Sequence, residues 1–352
     1  MTDFPFASAA ELASMIRTRE ISTVEVMRAT LARIEWSQST FNAFITVAAE
    51  SAMEAARTAE ATVMRGAPLG PLHGVPLAVK DLVPTAGIRT TWGSLIYKDN
   101  VPDADAAVVA RLKCAGAIVV GKTTTPEFGQ QCLTEAPLFG RTRNAWRADR
   151  SSGGSSGGSA VAVAAGLVPI AIATDGGGSS RIPAACNGVV GFKQGLGLVP
   201  QEYAQDGFGN ISYITPMTRT VHDTALMLDV MAGSDSRDPL TVARVKPDFM
   251  EAANAAEPLT GWPSHRLAGP PRQHPGCPRG AVRMRDRAGG SGWSWRGNYR
   301  THGAFREPGT RLVRSERRLP AGAVRPSSER PSRHHVSDLC AADGPRRQLL
   351  CR

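Results

Sequence analysis

The sequence predicts an α/β fold in which helices flank a central sheet. Short apolar runs typical of buried strands occupy residues 75–79, 117–120 and 169–173 of this 352-residue chain. Between these runs, residues 106–114 and 160–167 carry the side chains expected of helices. Strands separated by helices of this length indicate a layered sheet that is covered by helices.

The first 66 residues are predicted to form the N-terminal helical part of this domain. Ser8 and Ser22 each precede a glutamate by three residues, which is the capping-box pattern of a helix start. Apolar residues recur at helical spacing behind the second cap. A third, alanine-rich helix is predicted over about residues 48–65, before a glycine.

Residues 67–258 are predicted to hold the core of the domain. They contain the three strands, the two helices between them and a further amphipathic helix over residues 218–231. The apolar residues of that last helix are expected to point inward: Val221, Ala225, Leu226, Leu228 and Met231.

The last quarter of the chain accounts for the formal net charge of +10. Residues 261–352 hold 19 arginines, no lysine and six acidic residues, whereas residues 1–260 hold 22 basic and 25 acidic residues. The same segment has 12 glycines, 10 prolines and no isoleucine, so it lacks the apolar residues to order itself. We therefore predict an irregular, disordered basic tail over 259–352.

Two origins of this tail stay open at this point. It is either the product of a GC-rich gene read out of frame after about residue 258, or a genuine basic arm. Aromatic residues are not interleaved with the arginines as they are in base-stacking surfaces, so we expect no nucleic-acid partner.

Composition also excludes other classes of protein. No run of about 18 apolar residues is present, so we expect no transmembrane helix. The N-terminus has no basic segment followed by an apolar one, so we expect no secretory signal. The cysteines show neither CxxC nor metal-ligand spacing, which favours reduced thiols in a cytoplasmic protein: Cys114, Cys132, Cys186, Cys277, Cys340 and Cys351.

A glycine- and serine-rich run, GGSSGGSA, occupies residues 153–160. Alone it could be a flexible linker, but the sequence on both sides is that of strands and helices. A phosphate-binding loop is the second interpretation. It is disfavoured because no Gly-Lys-Ser/Thr follows the glycines.

A second cluster, TDGGGSSRIP over residues 174–183, follows the strand at 169–173. Successive glycines after a strand can direct several backbone N–H groups toward one anion, such as the oxyanion of an acyl-transfer reaction. A serine at the end of that turn would be a nucleophile beside its own oxyanion hole. The order Gly-Gly-Gly-Ser differs from the Gly-x-Ser-x-Gly elbow of α/β-hydrolases.

A serine nucleophile needs a base, and the candidates are few. Only His73 and His222 lie outside the basic tail, so few histidines are available for a Ser–His–Asp triad. Lys80, at the end of the first strand, is either an ordinary surface lysine or a base. Burial of its ammonium would lower the pKa and make a neutral amine accessible.

Residues 73–81 (HGVPLAVKD), 153–160 and 174–193 (TDGGGSSRIPAACNGVVGFK), in this order, resemble the amidase signature family of serine amidohydrolases. The resemblance covers roughly residues 8–250. It implies the amidase-signature fold, a mixed central sheet flanked by helices, here incomplete because the resemblance fades near residue 258. The family needs no metal and no cofactor.

The resemblance also implies a Lys–cis-Ser–Ser triad. Lys80 matches the base, Ser155 the bridging serine in a cis peptide, and Ser179 the nucleophile. The oxyanion hole is matched by the backbone of Gly176, Gly177, Gly178 and Ser179. The chain departs from the family pattern at Ser180, at residues 186–187 and at residues 192–195, where local packing behind the turn is expected to differ.

The expected function is an amidase that converts a small-molecule carboxamide to a carboxylic acid and ammonia or an amine. The alternatives are the A subunit of glutamyl-tRNA(Gln) amidotransferase, which releases ammonia from glutamine, and an inactive, truncated amidase-like protein. Residues 208–220 resemble stand-alone amidases more than that subunit. We expect no membrane partner, and a homodimer stays open.

Overall fold

Helices and strands alternate along most of the chain. The computed structural model describes residues 4–202, 211–241 and 246–255. The helices are α1 (Ala9–Arg17), α2 (Thr23–Phe41), α3 (Ala49–Met64), α4 (Ala107–Cys114), α5 (Gly157–Ala164), α6 (Arg181–Asn187), α7 (Val221–Met231) and α8 (Phe249–Asn254). The strands are β1 (Phe44–Val47), β2 (Pro76–Lys80), β3 (Ile118–Thr123), β4 (Glu135–Ala136), β5 (Gly140–Arg141), β6 (Ile170–Asp175), β7 (Val190–Gly191) and β8 (Tyr213–Thr218).

Six of these strands form a mixed sheet in the order β1-β3-β2-β6-β8-β7, and β4 pairs with β5 in a separate ribbon. The three central strands β3, β2 and β6 are parallel, and the pairs nearer each edge are antiparallel. Leu77 lies opposite Ile170, and Val79 lies opposite Ile172. The carboxyl ends of β2 and β6 therefore lie side by side, at the edge where open α/β sheets place their functional groups.

Apolar side chains fill both faces of the sheet. One core cluster joins β2 and β6 to helices α1, α4 and α7. The other joins α2, α3 and α5 to the opposite face, where the small residues of β6, Ala171 and Ala173, let α5 approach closely. Burial on both faces explains why the parallel strands are continuous apolar runs rather than alternating ones.

The structure confirms most of the elements expected from the sequence. Ser8 and Ser22 each accept a backbone hydrogen bond from a glutamate three residues on, and each glutamate bonds back, so both capping boxes are formed. The mixed α/β architecture is likewise confirmed. The predicted helices and strands are present, with ends that shift by one to three residues.

Three details differ from the expectations. Strand β1 interrupts the predicted all-helical segment because it pairs with β3, a contact distant in sequence. Strand β8, which precedes α7, is not predicted by the sequence pattern. Val221 is 67% exposed rather than inward-facing, although Ala225, Leu228 and Met231 are buried. The predicted tail, 259–352, lies outside the described residues.

No helix among the described residues is both long and apolar enough to cross a membrane. Within the described residues, Cys114, Cys132 and Cys186 form no disulfide. The other three cysteines lie outside the part of the chain that the structure describes.

Candidate active site

Lys80 is completely buried at the carboxyl end of β2. Its Nζ lies 2.7 Å from the Ser155 hydroxyl, 2.8 Å from that of Ser156 and 2.8 Å from that of Thr174. Three hydroxyl groups therefore surround the amine, and the lysine is not an ordinary side chain at a strand end.

Burial lowers the pKa of Lys80 well below its ordinary value, and the negative charge of Asp175 only partly opposes this shift. Removal from water disfavours the ammonium form. The shift favours the neutral amine, which can accept a proton.

Ser155 follows a cis peptide bond between Gly154 and Ser155. The surrounding atoms lie so close to two nearby glycines that a Cβ there would clash. A Cβ on Gly154 would lie 2.6 Å from the backbone nitrogen of Leu133, and one on Gly157 would lie 2.3 Å from Thr134 Oγ1. The glycines of this run are thus needed for close packing and do not form a flexible linker.

The turn after β6 is organised by the carboxylate of Asp175, which is fully buried. Asp175 accepts hydrogen bonds from the backbone N–H groups of Gly178 (2.9 Å), Ser180 (3.1 Å) and Arg181 (3.2 Å). The Arg181 guanidinium adds two bonds to the same carboxylate, of 3.0 and 2.9 Å. Asp175 and Arg181 therefore hold the loop in one conformation.

Burial acts to raise the pKa of Asp175, but the guanidinium of Arg181 and the three backbone donors outweigh it and hold the pKa below its ordinary value. Asp175 is therefore an anion at neutral pH. Its charge is balanced by fixed donors, as in charge-assisted bidentate pairs.

Ser179 lies on this turn, and its side chain is half-buried. Its carbonyl oxygen accepts a hydrogen bond of 3.0 Å from the backbone N–H of Ser156, which joins the turn to the serine-rich run. Within the described residues, the Ser179 hydroxyl has no hydrogen-bond partner. It is free to meet a ligand.

The N–H group of Gly178 is occupied by Asp175, so it does not point into an empty anion site. The N–H groups of Gly177 and Ser179 have no acceptor among the described residues. Gly176 and Gly177 are exposed, and Gly178 has a φ of +118°, which favours glycine. The turn thus offers fewer oxyanion donors than the four expected from the sequence.

Neither histidine outside the tail contacts these groups. His73 lies against helix α3, where its Nε2 is 3.0 Å from the carbonyl oxygen of Ala59. His222 is on the surface, with its Nε2 2.7 Å from Asn254 Oδ1. Within the residues that the structure describes, Ser179 has no histidine partner.

Two site residues were missed by the sequence analysis. Ser156 and Thr174 both contact Lys80, but the motifs indicated only Ser155 and Ser179. The available signal was positional. Thr174 is the next-to-last residue of the strand beside Lys80, and Ser156 follows Ser155 directly.

A second lysine, Lys122 on β3, is also buried in the core, and the sequence did not predict this. Its Nζ donates to the carbonyl oxygen of Val83 and, at 2.8 Å, to Thr85 Oγ1. Burial lowers the pKa of Lys122 to about 7, although the nearby carboxylate of Asp81 opposes the shift. Burial in turn raises the pKa of Asp81.

Asn187, one of the departures from the family pattern, ties helix α6 to the serine-rich run. Its side-chain amide donates to the carbonyl oxygens of Ser152 and Pro183, both at 2.9 Å. Its Oδ1 accepts from the backbone N–H of Ala145 at 3.0 Å. The side chain is fully buried and satisfied, so it holds three segments together behind the site.

Comparison with known proteins agrees with this geometry. The amidase family model matches residues 25–260. The chain is 43% identical to an acylamidase of Rhodococcus erythropolis over 70% of its length. It is also 43% identical to the A subunit of the glutamyl-tRNA(Gln) amidotransferase of Carboxydothermus hydrogenoformans, over 71% of its length.

Solved structures show the same fold. A bacterial aryl acylamidase of the amidase signature family superposes with a TM-score of 0.68 at 38% identity, covering 70% of this chain and 51% of that one. The peptide amidase of Stenotrophomonas maltophilia superposes with a TM-score of 0.65 at 34% identity, covering 71% and 53%.

The chain spans about half the length of the curated relatives it matches, 52% of the acylamidase and 51% of the amidotransferase protein. The matched half contains the buried lysine, the serine-rich run and the glycine turn. These matches, over a continuous region that holds the whole site, show that the chain belongs to the amidase signature family.

Proposed function

We propose that this protein is an amidase that hydrolyses a carboxamide to a carboxylic acid and ammonia or an amine. Ser179 is the nucleophile, Ser155 carries the proton, and Lys80 is the base. The observation that supports this most directly is the contact between the buried amine of Lys80 and the Ser155 hydroxyl, at 2.7 Å. A serine is activated when a neighbouring base takes its proton.

The proton route follows from the contacts of Lys80. Ser179 Oγ attacks the amide carbonyl carbon and gives its proton to Ser155, whose own proton passes to the neutral amine of Lys80. The new C–O bond forms a tetrahedral oxyanion. The C–N bond then breaks as the proton returns through Ser155 to the leaving nitrogen.

The resulting acyl-enzyme is hydrolysed by the same route. Water gives a proton to the relay and attacks the ester carbonyl, and Ser179 recovers its proton when the acid leaves. The backbone N–H groups of Gly177 and Ser179, with Gly176, are the proposed oxyanion donors. Gly178 supports the turn through Asp175 rather than binding the oxyanion.

Glutamine hydrolysis as the A subunit of an amidotransferase is the second candidate. This candidate is supported by amidotransferase proteins that are 43–45% identical to this chain, which is similar to the identity between this chain and the acylamidase. Partner dependence separates the two. Release of ammonia from glutamine, together with co-purification of a tRNA-binding protein, would favour the amidotransferase.

The decisive experiment is a panel of amides assayed for ammonia or amine release. The panel contains aliphatic amides, aryl amides, malonamide-like and urea-derived compounds, and glutamine. The wild type is expected to hydrolyse at least one class, and Ser179→Ala none. A folded wild type that hydrolyses nothing, and that no serine-directed reagent modifies, would contradict the proposal.

A further inference from the structure

The amine of Lys80 has more hydroxyl neighbours than a neutral amine can donate to. A neutral amine has two hydrogens and one lone pair, whereas three hydroxyl oxygens lie within 2.8 Å of Nζ. When Lys80 acts as a base, two hydroxyls therefore accept from it and the third donates to its lone pair.

Ser156 is one of the two acceptors. Its hydroxyl donates to the backbone carbonyl oxygen of Thr174 at 3.1 Å, and it accepts from the backbone N–H of Thr174 at 3.3 Å. A hydroxyl has a single hydrogen, and that of Ser156 is already used. Ser156 can only accept from Lys80.

Ser155 and Thr174 then compete for the lone pair. If Thr174 donated to it, the amine would have to donate to Ser155 and could not take the Ser155 proton. If Thr174 accepts, the lone pair faces Ser155. The hydroxyl of Thr174 has Lys80 as its hydrogen-bond partner among the described residues, so the two arrangements differ in whether Ser155 or Thr174 donates to Nζ.

We propose that Thr174 is a positioning residue, which accepts the second hydrogen of the neutral Lys80 amine and so leaves the nitrogen lone pair facing Ser155. This inference rests on the proposed function. Thr174 acts through Lys80 and does not touch the substrate.

The fold keeps Thr174 in this position. Its strand β6 lies beside β2 with Val79 opposite Ile172, so Thr174, the next-to-last residue of β6, lies near Lys80, the last residue of β2. On its other side, Thr174 is opposite Ile214 of β8. Only 7% of Thr174 is exposed, which limits competition from water. Asp175 is the charged group in the described residues that acts on Lys80.

The test uses a fluorophosphonate and the full-length chain. Ser179 Oγ attacks phosphorus, a P–O bond forms, the P–F bond breaks, fluoride leaves, and the serine proton passes through Ser155 to Lys80. The rate is measured by intact-mass spectrometry as a function of pH. The variants are Thr174→Val, which keeps the shape, and Thr174→Ser, which keeps the hydroxyl.

Thr174→Val is expected to slow labelling at its pH plateau about tenfold, which corresponds to ~1.4 kcal/mol. The acidic limb of the pH–rate profile is the range over which the rate falls as Lys80 becomes protonated. Thr174→Val should also move this limb to lower pH, because the ammonium form of Lys80 loses a hydrogen-bond acceptor. Thr174→Ser should restore both the rate and the limb. A general loss of packing would lower the rate without moving the limb.

Thr123→Val is the matched control. Thr123 is also buried, and its hydroxyl bonds to Ser159 at 2.7 Å and not to Lys80. It should leave the acidic limb in place. If Thr174→Val does not fold, Thr174→Ala takes its place in the same comparison.

Equal rates and equal limbs in wild type, Thr174→Val and Thr174→Ser would overturn the inference while leaving the proposed function intact. A folded wild type that is not labelled at any pH would contradict the proposed function, and this inference with it.

Discussion

The backbone N–H of Ser156 donates a hydrogen bond of 3.0 Å to the carbonyl oxygen of Ser179. The Ser156 hydroxyl, in turn, lies 2.8 Å from the amine of Lys80. Ser156 therefore connects the proposed nucleophile to the proposed base. The serine-rich run and the glycine turn are held at a fixed distance from each other and from the end of β2.

Replacing Lys80 should affect the reaction far more than replacing His73. Lys80→Ala removes the buried amine and is expected to lower the rate of fluorophosphonate labelling at neutral pH at least ~100-fold. His73→Ala should change the rate less than about threefold, because its ring bonds to helix α3 and not to a serine. Equal effects of the two variants would argue against lysine as the base.

The Asp175 carboxylate should be required for the shape of the glycine turn. Asp175→Asn removes the charge that holds three backbone N–H groups and Arg181. Labelling is expected to fall by a factor of about ten to a hundred. Asp149→Asn is the control, because Asp149 also pairs with an arginine through two bonds but on the exposed surface.

The control is expected to label at the wild-type rate. A wild-type rate in Asp175→Asn as well would show that the turn keeps its shape without the carboxylate. In that case the buried charge would not be what organises the turn.

The buried ammonium of Lys122 should make stability rise with pH. Its pKa is about 7 in the folded protein and 10.5 ordinarily, so between these values the unfolded chain binds more protons. The free energy of unfolding contributed by this group should increase by about 2 kcal/mol from about pH 7.5 to about pH 9.5. Urea titrations at the two pH values measure the increase.

Lys122→Met should remove the contribution of Lys122 to this increase, whatever the stability of the variant at a single pH. Lys80 is also buried, and its lowered pKa acts in the same direction, so part of the wild-type slope is expected to remain. An unchanged slope in Lys122→Met would contradict the pKa assigned to Lys122.

Asn187→Ala should destabilise the fold, because it removes three hydrogen bonds made by a buried side chain, two to carbonyl oxygens and one from a backbone N–H group. The expected loss is about 2–3 kcal/mol of unfolding free energy. Asn254→Ala, on an exposed helix end, is the control and should change it by less than about 0.5 kcal/mol. A loss as small as the control's would show that the three segments hold together without Asn187.

The parallel core of the sheet could be predicted from the sequence, and its edges could not. Strands β2, β3 and β6 are buried apolar runs, which the sequence shows directly. Strand β1 has only four residues and depends on its pairing with β3. Strand β8 contains Pro216, which is unusual within a strand, and β7 pairs only with its last two residues.

Some residues of the site could likewise be predicted from the sequence, and others could not. The glycines, Lys80 and the two serines of the motifs could be found because their spacing is distinctive. The hydroxyls of Ser156 and Thr174 could not, because a serine or threonine in a polar run is common. Only the register of β2 against β6 shows that Thr174 meets Lys80.

The central claim is that Ser179 is a nucleophile activated through Ser155 and Lys80. The most direct test incubates the folded chain with a fluorophosphonate and maps the modified residue by mass spectrometry of its peptides. We predict one phosphonate on Ser179 in the wild type, none in Ser179→Ala, and labelling of Lys80→Ala that is at least ~100-fold slower at neutral pH. Labelling of another residue, or equal labelling of Ser179→Ala, would contradict it.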